Sequence, residues 1–187
     1  MCCWSRIEER FTRFGQESYG EGVSQLEHAL QSAHLARRAG AGDAGGIGAL
    51  LHDLGHLVPE APRMGDLGTD LHEEVGARLL AGEGFGGAVT DLVAAHVAAK
   101  RYLVFRDARY RERLSDASRA SLLRQGGAMT EEDARAFEQS PGFAAALRLR
   151  SFDDRAKVPG LAVPSLETYR ALVLDHLRAQ GRPGGPE

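Results

Sequence analysis

Four histidines recur along this chain at intervals of about one helix and one connection, and they limit the available folds more than any other feature. They are His28, His52, His72 and His96, with separations of 24, 20 and 24 residues. Each lies in or beside a segment whose apolar residues repeat every three and four positions, the period of an amphipathic helix. A lone histidine on such a helix is commonly an ordinary core residue. Four on successive helices instead predict a metal site, because imidazole is a common metal ligand.

The apolar and capping patterns predict an all-α fold. Ser24 and Glu27 have the spacing of a capping box, which opens a helix that runs to Gly40. A second core helix is predicted over 44–54, and Asp70 is expected to cap a later one. The alternation of apolar and polar residues that is typical of strands is not found. We predict the other helices over residues 1–15, 70–80, 89–100, 115–123 and 141–157, one that opens at the Thr130 cap, and one from residue 165 onward.

Length and composition are those of a soluble globular protein. The 187 residues are 43% hydrophobic and 26% charged, which is ordinary for a folded domain. We expect a single domain over residues 1–180 and a disordered tail over residues 181–187, which are rich in glycine and proline. The net charge of −3 gives no reason to expect a nucleic-acid partner. The sequence leaves the oligomeric state open.

Cysteine usage and hydropathy favour a cytoplasmic location. The only cysteines, Cys2 and Cys3, are adjacent, so they offer no disulfide framework within the domain. No apolar run approaches the roughly 20 residues that a membrane-spanning helix needs. We therefore expect neither a membrane anchor nor a membrane partner.

One histidine is followed directly by an aspartate, and this pair predicts more than one metal ion. Neighbouring residues on a helix diverge by about 100°, so His52 and Asp53 are poorly placed to bind one ion together. They suit a site in which the carboxylate bridges to, or reaches towards, a second metal. A helix end with polar surface residues is the alternative for the pair taken alone. Asp153 and Asp154 lie on a later predicted helix, and either could complete the ligand set.

The order of these residues resembles that of the HD-domain superfamily. The superfamily pattern is a histidine, a His-Asp pair, two further histidines and a late aspartate, and the resemblance covers about residues 19–160. It implies an HD-domain helical bundle around a dinuclear metal site. Most of the superfamily are phosphohydrolases of nucleotides and other phosphate esters. The matching residues are His28, His52, Asp53, His72, His96 and Asp153.

Finer motifs resemble one branch of that superfamily, the phosphonate-cleaving HD oxygenases related to myo-inositol oxygenase. The resemblance implies a mixed-valence Fe(II)/Fe(III) pair and O2 as co-substrate. It also implies oxidation of the hydroxyl-bearing carbon of an α-hydroxyphosphonate, with loss of the C–P bond. A metal-dependent phosphohydrolase is the alternative, and a degraded module that only binds ligands is a weaker one. The motifs are residues 19–21, 25–31, 52–56, 96–103, 114–118, 125–129 and 150–157.

The same resemblance suggests how the two irons are shared. One would be bound by His28, His52, Asp53 and Asp153. The other would take His72 and His96 and share Asp53 as a bridge. Whether Asp154 replaces Asp153 is left open.

Substrate contacts are also implied by the resemblance. In the family the matching positions contact the substrate, and in this chain they are His56, Lys100, Ser118 and Arg150. Lys157 is expected close behind them, on the same helix face as Arg150. Lys100 lies one helical turn beyond His96, and His56 one turn beyond His52. As alternatives, Arg150 and Lys157 would pair with the late aspartates on a solvated face, and Ser118 would be an ordinary polar residue.

Tyr19 and Glu21 precede the helix that is predicted to carry the first ligand, and both bear on the choice of substrate. The family uses a glutamate at the position of Glu21 to recognise a cationic nitrogen, and in one member a nearby tyrosine plugs the open iron. Tyr19 is two residues before Glu21 rather than three, so its role as a gate is left open. The substrates implied are 1-hydroxy-2-(trimethylammonio)ethylphosphonate, giving glycine betaine and phosphate, or 2-amino-1-hydroxyethylphosphonate, giving glycine and phosphate. The sequence does not separate them.

Overall fold

The computed structural model describes residues 3–18 and 20–181, and the regular structure within them is helical. Ten α-helices and three short 3-10 segments are present in these residues, which contain no β-strand. The prediction of an all-α fold is therefore confirmed. Tyr19 and residues 182–187 lie outside the described residues, so the expectations of a tyrosine gate and of a disordered tail concern residues that are not described.

The helices follow one another through short connections. The 3-10 segments span Leu54–Leu57, Gly65–Leu67 and Leu166–Tyr169. None of the described helices combines the length and apolarity needed to cross a lipid bilayer. In chain order the helices are α1 (Cys3–Phe14), α2 (Gln25–Arg38), α3 (Gly42–Leu51), α4 (His72–Glu83), α5 (Gly87–Arg106), α6 (Ala108–Arg113), α7 (Asp116–Arg124), α8 (Glu131–Glu138), α9 (Phe143–Arg155) and α10 (Arg170–Ala179).

Five of these helices form the centre of the bundle. Helix α2 packs on α3, α4 packs on α5, and α9 lies against α2, α3 and α5. Helices α1 and α10 close one side of the core. The core residues are apolar and almost fully buried, and burying each large one stabilises the fold by about 1.5–3 kcal/mol. They include Trp4, Ile7, Phe11, Leu50, Leu51, Leu54, Val89, Val93, Tyr169 and Val173.

The first capping prediction is confirmed and the second is wrong. At α2 the Ser24 hydroxyl accepts a hydrogen bond from the Glu27 N–H at 3.2 Å, and the Glu27 carboxylate accepts one from the Ser24 N–H at 2.8 Å. At α4, Asp70 is not the cap. Leu71 precedes the helix in a left-handed conformation (φ 48°) without a side-chain cap, an uncommon backbone state for a bulky residue. This conformation makes His72 the first residue of α4.

Helix α3 is shorter than predicted because the chain must turn at the His-Asp pair. The helix ends at Leu51, and the main chain continues as a 3-10 segment that packs against α4. A Cβ atom on Gly55 would lie 2.0 Å from the carbonyl oxygen of His72 and 2.9 Å from the nitrogen of Gly76. Only glycine fits this close approach of two main chains.

Replacing this glycine is expected to separate the two halves of the site. Gly55→Ala should destabilise the protein by about 3 kcal/mol, because a methyl group would overlap main-chain atoms that cannot move independently. Gly82→Ala, on the helix α4 against which Gly55 packs, is the control, since a Cβ there meets no atom within 4 Å. That control should stabilise the protein by about 0.5–1 kcal/mol. Urea unfolding of both variants measures the difference, and equal stability would contradict the close-approach argument.

Candidate metal centre

The six residues expected to bind metal converge where the five central helices meet. Each of these helices carries at least one of the six residues, on the helix or directly after it. The four imidazoles are almost fully buried. Because the residues come from all parts of the chain, only the packing of the bundle brings them together. His28 lies on α2, His52 and Asp53 directly after α3, His72 at the start of α4, His96 within α5, and Asp153 on α9.

One group of ligand atoms surrounds His28. Its Nε2 lies 3.1 Å from Nε2 of His52, 3.5 Å from Oδ2 of Asp53 and 3.4 Å from Oδ1 of Asp153. Atoms bound at 2.0–2.2 Å to one ion in octahedral geometry are about 3 Å apart. The spacing therefore fits one metal ion.

A second group lies on the other side of Asp53. The Nε2 atoms of His72 and His96 are 3.0 Å apart, and each lies 3.4 Å from Oδ1 of Asp53. Asp53 thus directs one oxygen to each pair of imidazoles. This is the arrangement of a bridging carboxylate.

Hydrogen bonds at the far side of the rings place the single proton of a neutral imidazole on Nδ1. Nδ1 of His28 donates to the carbonyl oxygen of Ala156 and Nδ1 of His52 donates to that of Ala49, each at 2.9 Å. In neutral imidazoles each Nε2 atom then carries a lone pair and no proton. The two Nε2 atoms, of His28 and His52, face each other at 3.1 Å. Two lone pairs at this distance repel each other unless a cation lies between them. The donor set therefore fits a metal ion.

The pKa shifts of two ligands, His52 and Asp53, agree with metal binding. For His28, burial lowers the pKa, but the hydrogen bond and the charge of Asp153 outweigh burial and raise it. Burial lowers the pKa of His52 to about 4, so its imidazole is neutral near pH 7. Burial alone would raise the pKa of Asp53, but His52, His72 and His96 reverse this effect and hold it well below the ordinary value. Neutral imidazole and ionised carboxylate are the forms that bind metal.

Asp153, and not Asp154, faces the imidazoles. Arg150 donates from Nη1 to Oδ2 of Asp153 at 2.5 Å, from Nη2 to Asp154, and from Nε to the hydroxyl of Tyr110 at 2.8 Å. The Tyr110 hydroxyl in turn donates to Asp154 at 2.7 Å. Asp154 is therefore part of the support that holds Arg150 against Asp153. The sequence-based expectation for Arg150 is either contact with the substrate or pairing with the late aspartates. It pairs with both aspartates and also lines the pocket.

His56 lies over the second group of ligands. Its ring stacks on that of His72, with centroids 4.0 Å apart, and its Nδ1 accepts a hydrogen bond from the N–H of Thr69 at 2.9 Å. Because Nδ1 is an acceptor, the neutral ring carries its proton on Nε2. His56, Asp53 and His72 also form a group whose ligand atoms lie within 4.8 Å of one another.

A pocket opens beside the ligands, and all five predicted substrate contacts line it. Lys100 is almost fully buried and donates to the hydroxyl of Ser121 at 3.0 Å. Burial and the neighbouring Arg150 lower the pKa of Lys100 to about 7. The predicted residues that line the pocket are Glu21, His56, Lys100, Ser118, Arg150 and Lys157.

Part of the pocket wall is an ion pair between Lys157 and Glu21. Lys157 Nζ donates to Oε1 of Glu21 at 2.5 Å and to the hydroxyl of Ser118 at 3.0 Å. The same glutamate oxygen accepts a hydrogen bond from the Ser115 hydroxyl at 2.7 Å. The prediction that Lys157 lies on the helix of Arg150 is wrong, because α9 ends at Arg155. The irregular chain beyond the helix places Lys157 beside Glu21.

Sequence reasoning missed several residues of this site. Ser121 lies one turn after Ser118, so the three-residue spacing could have indicated it. Gln125, which also lines the pocket, stands in one of the recognised motifs but received no role. Tyr110 belongs to the site only through its hydrogen bonds to Arg150 and Asp154, and no spacing in the sequence indicates it.

Comparisons with known proteins place the chain in a family. The HD domain model matches residues 26–137, and the chain belongs to the HD-domain family.

Its relatives define the branch. Over 162 residues the chain is 48% identical to the hydroxymethylphosphonate dioxygenase of Gimesia maris, covering 85% of this chain and 80% of that protein. Over 166 residues it is 39% identical to the glycine-betaine-forming [1-hydroxy-2-(trimethylamino)ethyl]phosphonate dioxygenase of Leisingera caerulea, covering 87% and 84%. An uncharacterized protein of Acanthamoeba polyphaga mimivirus is 37% identical over 171 residues, which cover 89% and 78%. The resemblance to HD-type phosphonate oxygenases is thereby confirmed.

The buried lysine gives a pH-dependent prediction. Below pH 7, Lys100 is charged in both the folded and unfolded states, and the folded protein bears the full cost of burying the charge. Between pH 7 and 10.5 only the folded state releases the proton, so this cost falls as pH rises. Lys100→Met should therefore stabilise the protein by about 2–3 kcal/mol more at pH 6 than at pH 9.

Denaturant unfolding of the variant and the wild type at the two pH values measures this effect. Arg124→Met, which removes an exposed cation from α7, is the control and should show no such pH dependence. An equal gain from Lys100→Met at both pH values would contradict the lowered pKa.

Proposed function

We propose that this protein cleaves the C–P bond of an α-hydroxyalkylphosphonate by oxidation with O2 at a pair of iron ions, Fe(II)/Fe(III). The two named relatives are phosphonate dioxygenases, and membership of this branch implies a metal and O2. The observation that carries the proposal is the position of Asp53, whose two oxygens face separate pairs of imidazoles beside a pocket lined by Lys100, Arg150 and Lys157.

The proposed ligands follow the two groups of atoms. His28, His52 and Asp153 would hold one ion, His72 and His96 the other, and Asp53 would bridge them. Bound iron would supply one-electron chemistry with O2 and Lewis acidity towards the substrate hydroxyl.

The surrounding side chains would bind and orient the phosphonate. Lys100 is hydrogen-bonded to a neutral hydroxyl rather than to a carboxylate, so its charge is available to a phosphonate oxygen. His56, with its proton on Nε2, would donate a hydrogen bond to a substrate oxygen. Ser118 would add a hydroxyl from the opposite wall. Arg150 would hold Asp153 in place and add positive charge to the pocket.

The ion pair in the pocket wall favours a substrate without a cationic tail. Glu21 is already neutralised by Lys157 at 2.5 Å, so it retains little attraction for a second ammonium group. Hydroxymethylphosphonate, the substrate in the name of the Gimesia relative, has no such group. The trimethylammonio substrate in the name of the Leisingera relative, or its primary-amine analogue, is the second candidate. The carboxylate of Glu21 in the pocket wall supports this second candidate, because it could attract a cationic nitrogen.

Phosphate release with and without O2 tests the proposal. Iron-loaded protein should convert hydroxymethylphosphonate and one O2 into one formate and one phosphate, and should release no phosphate under argon. Substitution of Mn²⁺ for iron should abolish this activity. Phosphate release under argon, or hydrolysis of phosphate esters without phosphonate cleavage, would favour the phosphohydrolase alternative and contradict the proposal.

The role of the ion pair is tested by a change in substrate preference. Lys157→Met should free Glu21 and raise kcat/KM for the trimethylammonio substrate relative to hydroxymethylphosphonate by about tenfold, equivalent to about 1.4 kcal/mol. Arg155→Met, which removes an exposed cation two residues away, should leave the ratio unchanged. If the ratio stays constant in both variants, the Lys157–Glu21 pair does not select the substrate.

A further inference from the structure

The four imidazoles of the candidate centre differ in what lies beside Nδ1. Three of them donate to main-chain carbonyl oxygens: His28 to Ala156 at 2.9 Å, His52 to Ala49 at 2.9 Å and His96 to Val93 at 2.7 Å. Nδ1 of His72 is buried and has no hydrogen-bond partner. Instead, the carboxylate oxygen Oε2 of Glu73 lies 3.5 Å away.

Glu73 is itself an unusual residue. Only 8% of it is exposed, and its Oε2 is buried without a hydrogen-bond partner. The next residue, Glu74, has the ordinary environment of a helix glutamate, since it is exposed and pairs with Arg78 at 3.1 Å. A buried carboxylate oxygen without a donor is costly, so the inward position of Glu73 requires a compensating interaction.

The two unpartnered atoms are complementary. His72 needs a proton on Nδ1 if Nε2 is to bind a metal, and that N–H needs an acceptor. Glu73 Oε2 needs a donor. A movement of about 0.5 Å would bring the pair to hydrogen-bond distance. The stacked ring of His56, 16° from parallel to that of His72, holds the imidazole in its plane, so the edge that carries Nδ1 stays towards Glu73.

We propose that Glu73 is a positioning residue for the second metal ion, accepting the Nδ1–H of His72 when the ion is bound. The inference rests on the two-ion site proposed above. A carboxylate acceptor makes the imidazole a stronger ligand and fixes its tautomer. The second group has three protein ligands, whereas the first has four. A stronger imidazole ligand therefore contributes most to metal affinity in the second group. Loss of Glu73 therefore lowers the affinity for the ion at His72 and His96 and leaves the affinity for the other ion unchanged.

Chelator challenge of the iron-loaded protein tests this inference without reference to activity. Wild-type protein and variants are dialysed anaerobically against a graded series of chelator concentrations, and iron per chain is then measured. Glu73→Ala should lose one iron at a chelator concentration about ten- to a hundredfold lower than the wild type requires. The remaining iron should be retained as in the wild type.

Two further variants make the result specific. Glu73→Gln has the same size and keeps an acceptor oxygen, so it should fall between wild type and Glu73→Ala, and it serves if the alanine variant does not fold. Glu74→Gln is the matched control and should behave as wild type. Loss of both irons together, or retention equal to wild type in both Glu73 variants, would overturn the role of Glu73. A wild-type protein that never holds two irons would overturn the two-ion site itself, and this inference with it.

Discussion

The carboxylate of Asp53 is the group on which the rest of this structure depends. Burying an anion costs free energy, and imidazole nitrogens lie 3.4–3.5 Å from its oxygens on both sides, so cations bound between these groups would offset that cost. To place one carboxylate between two pairs of imidazoles, α3 must end at Leu51 and the chain must turn tightly against α4. The glycine at position 55 and the left-handed Leu71 are local consequences of that requirement.

The cationic residues near the centre have separate tasks because they have different partners. Arg150 is hydrogen-bonded to Asp153, Asp154 and Tyr110, so its charge serves mainly to hold a ligand in place. Lys157 is paired with Glu21 and closes the pocket wall. Lys100 has a neutral hydroxyl as its partner and is buried, which lowers its pKa to about 7. A substrate anion would therefore gain most from Lys100, because it would provide the counter-charge that the fold leaves out.

The names of the relatives and the residues of the pocket both bear on which substrates this protein could accept. Both named relatives act on phosphonates with a hydroxyl group on the carbon next to phosphorus, and they differ in the remaining substituent. Under the proposed function, the shared part of those substrates would lie at the candidate ligands, and the variable part would meet the wall formed by Glu21 and Lys157. Altered charge pairing at that wall would then change the substrate and keep the reaction.

The sequence by itself determined the helical fold and indicated four histidines and a His-Asp pair as candidate ligands, because helix periodicity is visible in local spacing. The late aspartate and the pocket residues were implied only by the resemblance to the HD-type phosphonate oxygenases. His28, His52, His72 and His96 could be recognised since each lies one helix after the last. Tertiary structure alone decided that Asp153 and not Asp154 faces the imidazoles, and that Lys157 leaves α9 to pair with Glu21. It also decided that Glu73 turns inward beside His72. These outcomes depend on contacts between segments up to 136 residues apart, where the balance of burial and charge is set by packing and not by neighbours along the chain.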